Sequence, residues 1–191
     1  MNTRSLFSRG FTLIELLVTV ALVAILLAVA APSFTAFQRN AELTSFVNSL
    51  VAGINSARGE AMKRGRYAMV VPTNATNWSS GWIVFVDVDR SQAYEAANDI
   101  LILSREAPPS YLTITANGSA SDSSPYMMFD ASGYSKTKAG GFGALTFSVT
   151  RNDVDSSLAD SETRRVIISS TGRVRTCKPS TDSTCTSSAT Q

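Results

Sequence analysis

The chain has 191 residues, which fits one domain of ordinary size with an additional N-terminal segment. Its 17 basic and 15 acidic side chains give a formal net charge of only +2, so any affinity for nucleic acid has to come from a local patch. Histidine is absent, which excludes Ser-His-Asp and Cys-His nucleophile sites and the histidine-based zinc signatures. We therefore expect a structural or binding protein without a metal or cofactor, and not an enzyme.

A long apolar run follows a short polar segment at the start of the chain. The run extends from Phe11 to Ala31, and its 21 residues would reach about 31 Å as a helix, the thickness of the hydrocarbon core of a bilayer. A secretory signal has an apolar core of only about 7–15 residues before a small-residue cleavage site, and no Ala-x-Ala motif precedes a mature start here. The alternative to a secretory signal is a cut before the run, between Gly10 and Phe11, which would leave the apolar helix on the mature chain.

Glu15 is an acidic residue inside this apolar run. A carboxylate in a membrane segment costs several kcal/mol unless another group neutralises it, so such a residue is by default a functional one. An uncleaved signal-anchor helix that carries a glutamate by chance is the alternative interpretation.

The string Arg9-Gly-Phe-Thr-Leu-Ile-Glu15 resembles the leader of prepilins, the precursors of type IV pilins and of type II secretion pseudopilins. In that family the prepilin peptidase, a membrane aspartyl protease, cuts after the glycine and methylates the new N-terminus. The resemblance implies cleavage after Gly10, N-methylation of Phe11, and neutralisation of Glu15 by the Phe11 amine of an adjacent subunit. Phe11 and Glu15 lie one helical turn apart, which suits this pairing. A glutamate that snorkels without a partner is the alternative.

Apolar residues at spacings of three and four continue beyond Pro32 and predict a second half of the same helix. These apolar positions are Phe34, Phe37, Ala41, Leu43, Phe46, Val47, Leu50, Val51, Ile54, Ala57 and Ala61. Lys63 and Arg64 followed by Gly65 predict the end of the helix, because cations and a C-terminal glycine favour a helix stop. We expect one helix of roughly 50 residues, with Pro32 as the position at which a kink would form.

The hydrophobic period becomes strand-like after Gly65, with turn-forming residues between the apolar runs. The predicted strands are Tyr67–Val71, Gly81–Asp87, Asp99–Ser104, Tyr111–Thr115, Tyr126–Phe129, Ala144–Val149, Arg164–Ser169 and Val174–Thr176. A long helix followed by seven or eight strands predicts an α+β fold in which the helix packs on an antiparallel sheet.

Two internal segments extend the family resemblance. The helix end Asn55–Gly65 and the strand segment Trp78–Asp87 resemble the GspH/FimT subfamily of pseudopilins and minor pilins. The resemblance implies a low-abundance subunit at or near the tip of a pilus or pseudopilus. It also implies three segments: a leader at 1–10, a transmembrane and assembly helix at 11–32, and a pilin-like globular domain at 33–191. That domain includes the C-terminal half of the long helix and the tail of the chain.

Three internal features resemble binding sites but fit them poorly. Asp87–Ser91 together with Asp99 has the Asp-x-Asp spacing of calcium loops, but it lacks the loop glycine and the glutamate at the twelfth position. We interpret it as a strand end and a solvated turn. Trp82 is expected in the core, whereas Trp78 could face a partner. The glycine-rich stretch Lys136–Gly143 lacks the P-loop pattern and is interpreted as a flexible loop.

The C-terminal region is basic between Arg164 and Lys178. Its basic side chains are Arg164, Arg165, Arg173, Arg175 and Lys178, with no acid among them. Gly172-Arg-Val-Arg175 resembles the Gly-Arg-x-Arg tail motif of FimT minor pilins linked to DNA uptake, which implies sequence-independent phosphate contacts. Arginines that brace the edge of a sheet, or protect it from aggregation, are the alternative.

Cys177 and Cys185 are the only cysteines. In an exported protein such a pair favours a disulfide, and so short a loop would be stabilised by about 2–3 kcal/mol. A free thiol or redox role is the alternative, although nothing nearby would activate a thiolate.

Together these resemblances imply a minor type IV pilin that assembles with other major and minor pilins and helps to initiate the pilus. A GspH-like pseudopilin of a type II secretion system, and a DNA-binding module on a competence pilus, are the alternatives. The protein is expected to cross the bacterial inner membrane once before assembly. Afterwards it would lie in a pilus or pseudopilus, in the periplasm or at the cell surface.

Overall fold

The computed structural model of the protein describes residues 10–74 and 76–188, so residues 1–9 of the predicted leader lie outside the described residues. The described chain contains one long helix, nine strands and two short 3₁₀ helices, at Gly118–Ser121 and Ser156–Leu158. The bounds are α1 Leu13–Arg64, β1 Tyr67–Asn74, β2 Asn77–Asp87, β3 Ile100–Arg105, β4 Leu112–Ala116, β5 Met127–Phe129, β6 Ser135–Lys136, β7 Leu145–Arg151, β8 Thr163–Ile168 and β9 Val174–Cys177. The chain divides into two compact units between Ala41 and Glu42.

The first unit contains the apolar part of α1. By length and composition this helix could cross a membrane, and none of its most apolar 18-residue window is buried. Leu26 and Val29, for example, are 69% and 74% exposed. A helix in the core of a soluble protein would bury such side chains, so this surface remains available to lipid or to other helices.

The first unit also corrects one sequence expectation. Phe34, Phe37 and Ala41 continue the predicted core stripe, but all three are exposed. The buried stripe begins at Leu43, in the second unit. Spacings of three and four place residues on one helix face without specifying what covers that face, so the sequence pattern extended the stripe too far.

The second unit contains two antiparallel sheets. The first sheet has the strand order β3-β2-β1-β5-β6, and the second sheet has the order β4-β7-β8-β9. Most neighbouring strands in the two sheets are also consecutive in the chain. The exceptions are the pairing of β1 with β5 in the first sheet and of β4 with β7 in the second sheet. The α+β class, with the helix on antiparallel sheets, is confirmed.

One apolar core joins the C-terminal part of α1 to both sheets. The helix contributes Leu43, Val47, Leu50, Ile54, Ala57 and Ala61, each with an exposure of 3% or less. The first sheet adds Val70, Trp82, Val84 and Val86, and the second sheet adds Leu145, Phe147, Val149, Val166 and Ile168. The helix and the first sheet are in close contact at Gly53, where an added Cβ would lie 3.0 Å from Nε1 of Trp82. The apolar periodicity of this part of the helix therefore corresponds to side chains that are buried.

The end of α1 matches the sequence prediction. Gly65 follows the last helical residue with φ +64°, and the backbone N–H of Arg66 donates to the carbonyl of Ala61 at 3.2 Å. This bond is the long-range bond of a Schellman motif, which glycine permits because it adopts the left-handed conformation without steric cost.

All eight predicted strands are present, and their bounds differ from the prediction by no more than four residues. The sequence did not indicate β6 or the division into two sheets. A strand of two residues, Ser135–Lys136, is too short to show a period. The division depends on which distant strands pair, and the local pattern carries little information about that.

Gly172, at the turn between β8 and β9, provides a test of this packing. Its φ is +78°, and an added Cβ would lie 2.0 Å from the carbonyl oxygen of Gly133 and 2.9 Å from Nε of Arg58. Gly140 is a matched control, because its φ is +88° but an added Cβ meets nothing within 4 Å. We expect Gly140→Ala to cost about 1–2 kcal/mol for the left-handed backbone alone. Gly172→Ala should cost at least about 2 kcal/mol more, because backbone atoms have to move.

Thermal unfolding followed by circular dichroism measures this difference. Each kcal/mol lowers Tm by about 2–4 °C in a protein of this size, so the two alanine variants should differ by about 4 °C or more. Equal Tm values for Gly172→Ala and Gly140→Ala would show that the contact with Gly133 relaxes without cost.

Candidate functional site

Two side chains close the N-terminus of α1. The hydroxyl of Thr12 accepts the backbone N–H of Glu15 at 3.2 Å. In return, Oε2 of Glu15 accepts the backbone N–H of Thr12 at 2.9 Å and its hydroxyl at 2.8 Å. This reciprocal pattern is a capping box, which satisfies backbone donors that the first helical turn leaves open. The Thr-x-x-Glu spacing was visible in the sequence, but the prediction treated Glu15 only as a carboxylate in a membrane helix.

Glu15 lies among apolar side chains on an exposed surface of the first unit. Phe11, Ile14, Glu15, Val18 and Thr19 line a shallow groove of about 340 Å³. A carboxylate has about four acceptor positions, and Thr12 occupies two of them, so Glu15 can still accept donors from another molecule. The arrangement places one anionic group within an apolar surface at the start of the helix, where the helix dipole also favours negative charge.

The predicted basic patch lies on β8 and β9. These strands pair antiparallel, with Arg165 opposite Cys177 and Ile167 opposite Arg175. Side chains alternate between the two faces of a strand, so Arg165 and Arg175 share the outer face of the second sheet. The intervening residues of β8 belong to the apolar core. The predicted common face of Arg173 and Arg175 agrees with this geometry, because both residues line one groove.

Arg165 and Arg175 hold the C-terminal tail against this outer face. Arg165 donates a hydrogen bond to the carbonyl of Cys185. Arg175 donates to Oδ2 of Asp182 at 3.3 Å, to the hydroxyl of Thr184 at 2.9 Å and to its carbonyl at 3.0 Å. Both guanidinium groups are therefore engaged within the protein. The sequence prediction missed Asp182 and Thr184 because a tail residue's partner cannot be identified before the tail is placed.

The predicted disulfide between Cys177 and Cys185 is formed, with Cα atoms 5.7 Å apart. It closes the loop that Arg165 and Arg175 hold. The tail is also fixed further along, where the side-chain amide of Asn117 donates to the carbonyl of Ser187 at 2.6 Å. The tail is thus part of the second sheet's surface.

The remaining basic side chains differ in their surroundings. Arg164 is half-buried and donates to the carbonyls of Ser161 and Thr163, both at 3.0 Å. Lys178 is also half-buried, whereas Arg173 is exposed. Among the described residues, Arg173 is the member of the predicted patch whose side chain is open to solvent.

A groove of about 420 Å³ lies beside Arg173. It is lined by Ile167, Ser169, Ser170, Thr171, Arg173, Arg175, Thr184, Thr186 and Ser188. Guanidinium and hydroxyl groups together suit an anion with several acceptor oxygens, such as a phosphate.

The acidic residues interpreted as a strand end and a solvated turn differ in their exposure. Asp87 is fully buried, Asp99 is half-buried and only Asp89 is exposed. Burial raises the pKa of Asp87, the nearby charges of Asp99 and Asp89 raise it further, and the backbone N–H groups of Gln92 and Arg90 oppose this shift. Asp87 ends β2, as expected, and Asp89 in the following turn is exposed, but the end of the strand is buried.

Both tryptophans belong to the core. Trp82 is 1% exposed, as expected, and it stacks edge-on against Phe46 with ring centres 5.2 Å apart. Trp78 is 4% exposed, and its Nε1–H donates to the carbonyl of Ala120 at 2.7 Å. A partner-facing role for Trp78 is therefore wrong, since both its ring and its polar atom are satisfied internally.

The glycine-rich stretch Lys136–Gly143 begins in β6 and is tied to the second unit. The Lys136 Nζ lies 3.9 Å from Oδ2 of Asp130 and 3.7 Å from the centre of the Phe142 ring. The ammonium group therefore already has an internal anion and an aromatic face as partners. This agrees with the sequence interpretation that the stretch is not a phosphate cradle.

Comparison with known families and structures completes the description. The profile of the type II transport protein GspH matches residues 47–172, and the profile of the prokaryotic N-terminal methylation motif matches residues 7–31. No curated protein matches at a significant level.

Two solved structures share the fold. The chain is similar to the type IV minor pilin FimU of Pseudomonas aeruginosa, with 20% identity, a TM-score of 0.54 and coverage of 75% of this chain and 94% of that one. It is also similar to the minor pseudopilin EpsH from the type 2 secretion system of Vibrio cholerae, with 13% identity, a TM-score of 0.50 and coverage of 72% and 98%. Because one family profile spans more than half of the chain and the methylation motif spans its apolar helix, the chain belongs to the GspH family of structural, non-enzymatic pilins and pseudopilins.

Proposed function

We propose that the protein is a minor type IV pilin that joins other pilins at or near the tip of the fibre and helps to initiate its assembly. The proposal rests on the first unit. Its apolar helix is exposed, and Glu15 forms part of the capping box at the start of that helix. Prepilin peptidase would release this helix from its leader by cutting after Gly10 and would methylate Phe11. The inner membrane would hold the protein through residues 11–32 until assembly.

The physical logic of assembly rests on Glu15. Moving an apolar helix from lipid to a bundle of helices brings little hydrophobic gain, because lipid chains are as apolar as leucine. A buried carboxylate that meets an amine can supply a directional preference, since the unpaired charge would be costly in either environment. The Phe11 amine of a neighbouring subunit is the proposed partner, and the groove beside Glu15 provides apolar contact for that subunit.

Substitutions at Thr12 and Glu15 distinguish the effect of the Glu15 charge from the effect of the helix cap. Glu15→Gln keeps a capping-box side chain but removes the charge, whereas Thr12→Val removes the hydroxyl and keeps the charge. We expect both variants to insert into the membrane. Glu15→Gln, like Glu15→Ala, should lower incorporation into sheared pilus fractions at least tenfold, and Thr12→Val should stay near the wild type.

Immunoblots of membrane and fibre fractions measure this, and mass spectrometry should find the mature N-terminus at methylated Phe11 in every variant. Normal assembly of Glu15→Gln would contradict the charge pairing. A mature N-terminus other than Phe11 would contradict the proposed processing.

A GspH-like minor pseudopilin of a type II secretion system is the second candidate. The GspH profile and the similarity to EpsH favour it as strongly as the similarity to FimU favours a pilin. Deletion of the gene separates the two, because a pilin supports surface fibres and a pseudopilin supports export of folded proteins.

We expect the deletion to reduce surface piliation and to leave secretion of type II substrates unchanged. Electron microscopy of fibres and activity assays of the culture medium measure the two outcomes, and complementation with the full chain is the control. Normal piliation with lost secretion would reverse the assignment.

Contact with DNA is a further part of the proposal, and the structure narrows the residues that could make it. Arg175 and Arg165 support the tail, so the contact would depend chiefly on Arg173 and the hydroxyl groups of the adjacent groove. Lys178 and Arg164 would contribute less, because both are half-buried. Such a site would bind the phosphates of DNA regardless of the base sequence.

Arg173→Gln and Arg175→Gln distinguish binding from bracing. Arg173→Gln should weaken binding of the full chain in detergent to duplex DNA, lower the slope of log K against log salt by about one, and leave Tm unchanged. Arg175→Gln should lower Tm by about 1–3 °C, since a partly exposed ion pair and two hydrogen bonds are lost.

Fluorescence anisotropy at several salt concentrations, together with thermal unfolding, measures both effects. If Arg173→Gln bound DNA as tightly as the wild type, or the wild type showed no salt-dependent binding, the basic tail would have a structural role alone.

A further inference from the structure

Three carboxylates meet at one end of the first sheet. Asp87 is the last residue of β2, Asp89 follows it in the connecting loop, and Asp99 directly precedes β3. The pairing of Val86 with Ile100 brings Asp87 and Asp99 to the same end of the two strands. One carboxylate oxygen from each of the three aspartates lies within 4.8 Å of the other two. Separate segments of the chain therefore converge on one small volume.

No basic side chain in the described part of the chain neutralises this cluster. Among the described residues, no lysine or arginine forms an ion pair with any of the three aspartates, as the pairs present involve other acids. Asp99 accepts two backbone N–H groups, from Val88 at 3.0 Å and from Glu95 at 2.8 Å. These bonds fix the position of the Asp99 carboxylate, but they supply no positive charge.

The carboxylate of Asp87 is only partly hydrogen-bonded among the described residues. Its Oδ2 accepts the backbone N–H of Gln92 at 3.1 Å. Its Oδ1 is buried and has no hydrogen-bond donor among the described residues. Burying a carboxylate oxygen without a hydrogen-bond donor costs free energy. A ligand within the cluster that binds this atom would therefore stabilise the protein.

We propose that Asp87, Asp89 and Asp99 form a calcium site. Calcium binds oxygen ligands at about 2.3–2.6 Å, so two ligands of one ion can lie up to about 4.6–5.2 Å apart, and three oxygens within 4.8 Å of one another can share one calcium ion. Magnesium demands near-octahedral geometry at about 2.0–2.1 Å and keeps several of its waters, so a site of three carboxylates suits calcium better. Water and backbone carbonyls would complete the shell.

The site lies outside the calcium pattern that the sequence was tested against. That pattern takes all its ligands from one loop of twelve residues with a glycine and a final glutamate. Here the third ligand, Asp99, lies just before the next strand, ten residues after Asp89. Strand pairing, and not local spacing, brings Asp99 to Asp87.

Bound calcium would fix the loop between β2 and β3 on the outer face of the first sheet. That loop carries Tyr94, whose ring lies 5.2 Å from the ring of Phe85, and Gln92, whose amide donates to the carbonyl of Lys138 at 3.3 Å. Phe85 belongs to a second apolar cluster that this loop covers. Calcium binding should therefore stabilise the second unit.

The test uses the full chain in detergent, treated with EDTA, desalted and titrated with CaCl₂. We expect one calcium per chain in isothermal calorimetry, with a Kd of about 10⁻⁴–10⁻³ M as in extracellular calcium modules. At tenfold excess over Kd, Tm should rise by about 3–6 °C. MgCl₂ at the same concentration should raise Tm by less than half as much.

Asp89→Asn is the principal variant, because Asp89 is exposed and asparagine keeps an acceptor for the N–H of Ser91. It should fold normally, as judged by near-UV circular dichroism, and bind calcium at least tenfold more weakly. Asp122→Asn removes an exposed acid outside the cluster and should bind calcium like the wild type. Asp87→Asn should raise Tm in EDTA, since the amide can donate to its acidic neighbours, and abolish the calcium response.

Two results would overturn the site. One is a wild-type Tm that CaCl₂ does not change, which would mean that a shared proton already satisfies Asp87. The other is an equal calcium response in the wild type and in Asp89→Asn, which would place the binding elsewhere. A magnesium response as large as the calcium response would overturn the assignment of the ion.

Discussion

The exposed apolar surface of α1 is the constraint on which the rest of the molecule depends. Each leucine or isoleucine left in water forgoes about 1.5–3 kcal/mol of transfer free energy, and the first unit exposes many such side chains. Lipid or neighbouring helices have to cover them. Because both environments are apolar, the hydrophobic effect confines the helix without choosing between them. In the proposed function, that choice falls to the polar group near its start, Glu15.

The same helix serves a different purpose in the second unit. From Leu43 onward, its stripe is buried against two sheets and helps to build the core. The two ends of α1 carry local boundary signals, the capping box at Thr12 and the left-handed Gly65.

Local signals could predict the ends of α1 and all eight longer strands, because caps and hydrophobic periods act over a few residues. The extent of burial was predicted less well. The phenylalanines at 34 and 37 continue the period but lie outside the core, and Trp78, a candidate to face a partner, is buried. Burial depends on contacts between distant segments, and a single sequence carries little direct information about them.

The charged residues show even more clearly that a single sequence carries little information about contacts between distant segments. Arg173 and Arg175 were equivalent in the sequence, two residues apart on one face, yet only Arg173 is exposed. The difference arises because the disulfide returns Asp182 and Thr184 to the side chain of Arg175. A guanidinium group engaged in three hydrogen bonds would have to give them up to bind a phosphate, whereas an exposed one would only exchange water. A motif of two arginines can therefore hold one residue that supports the tail and one that is free to meet a ligand.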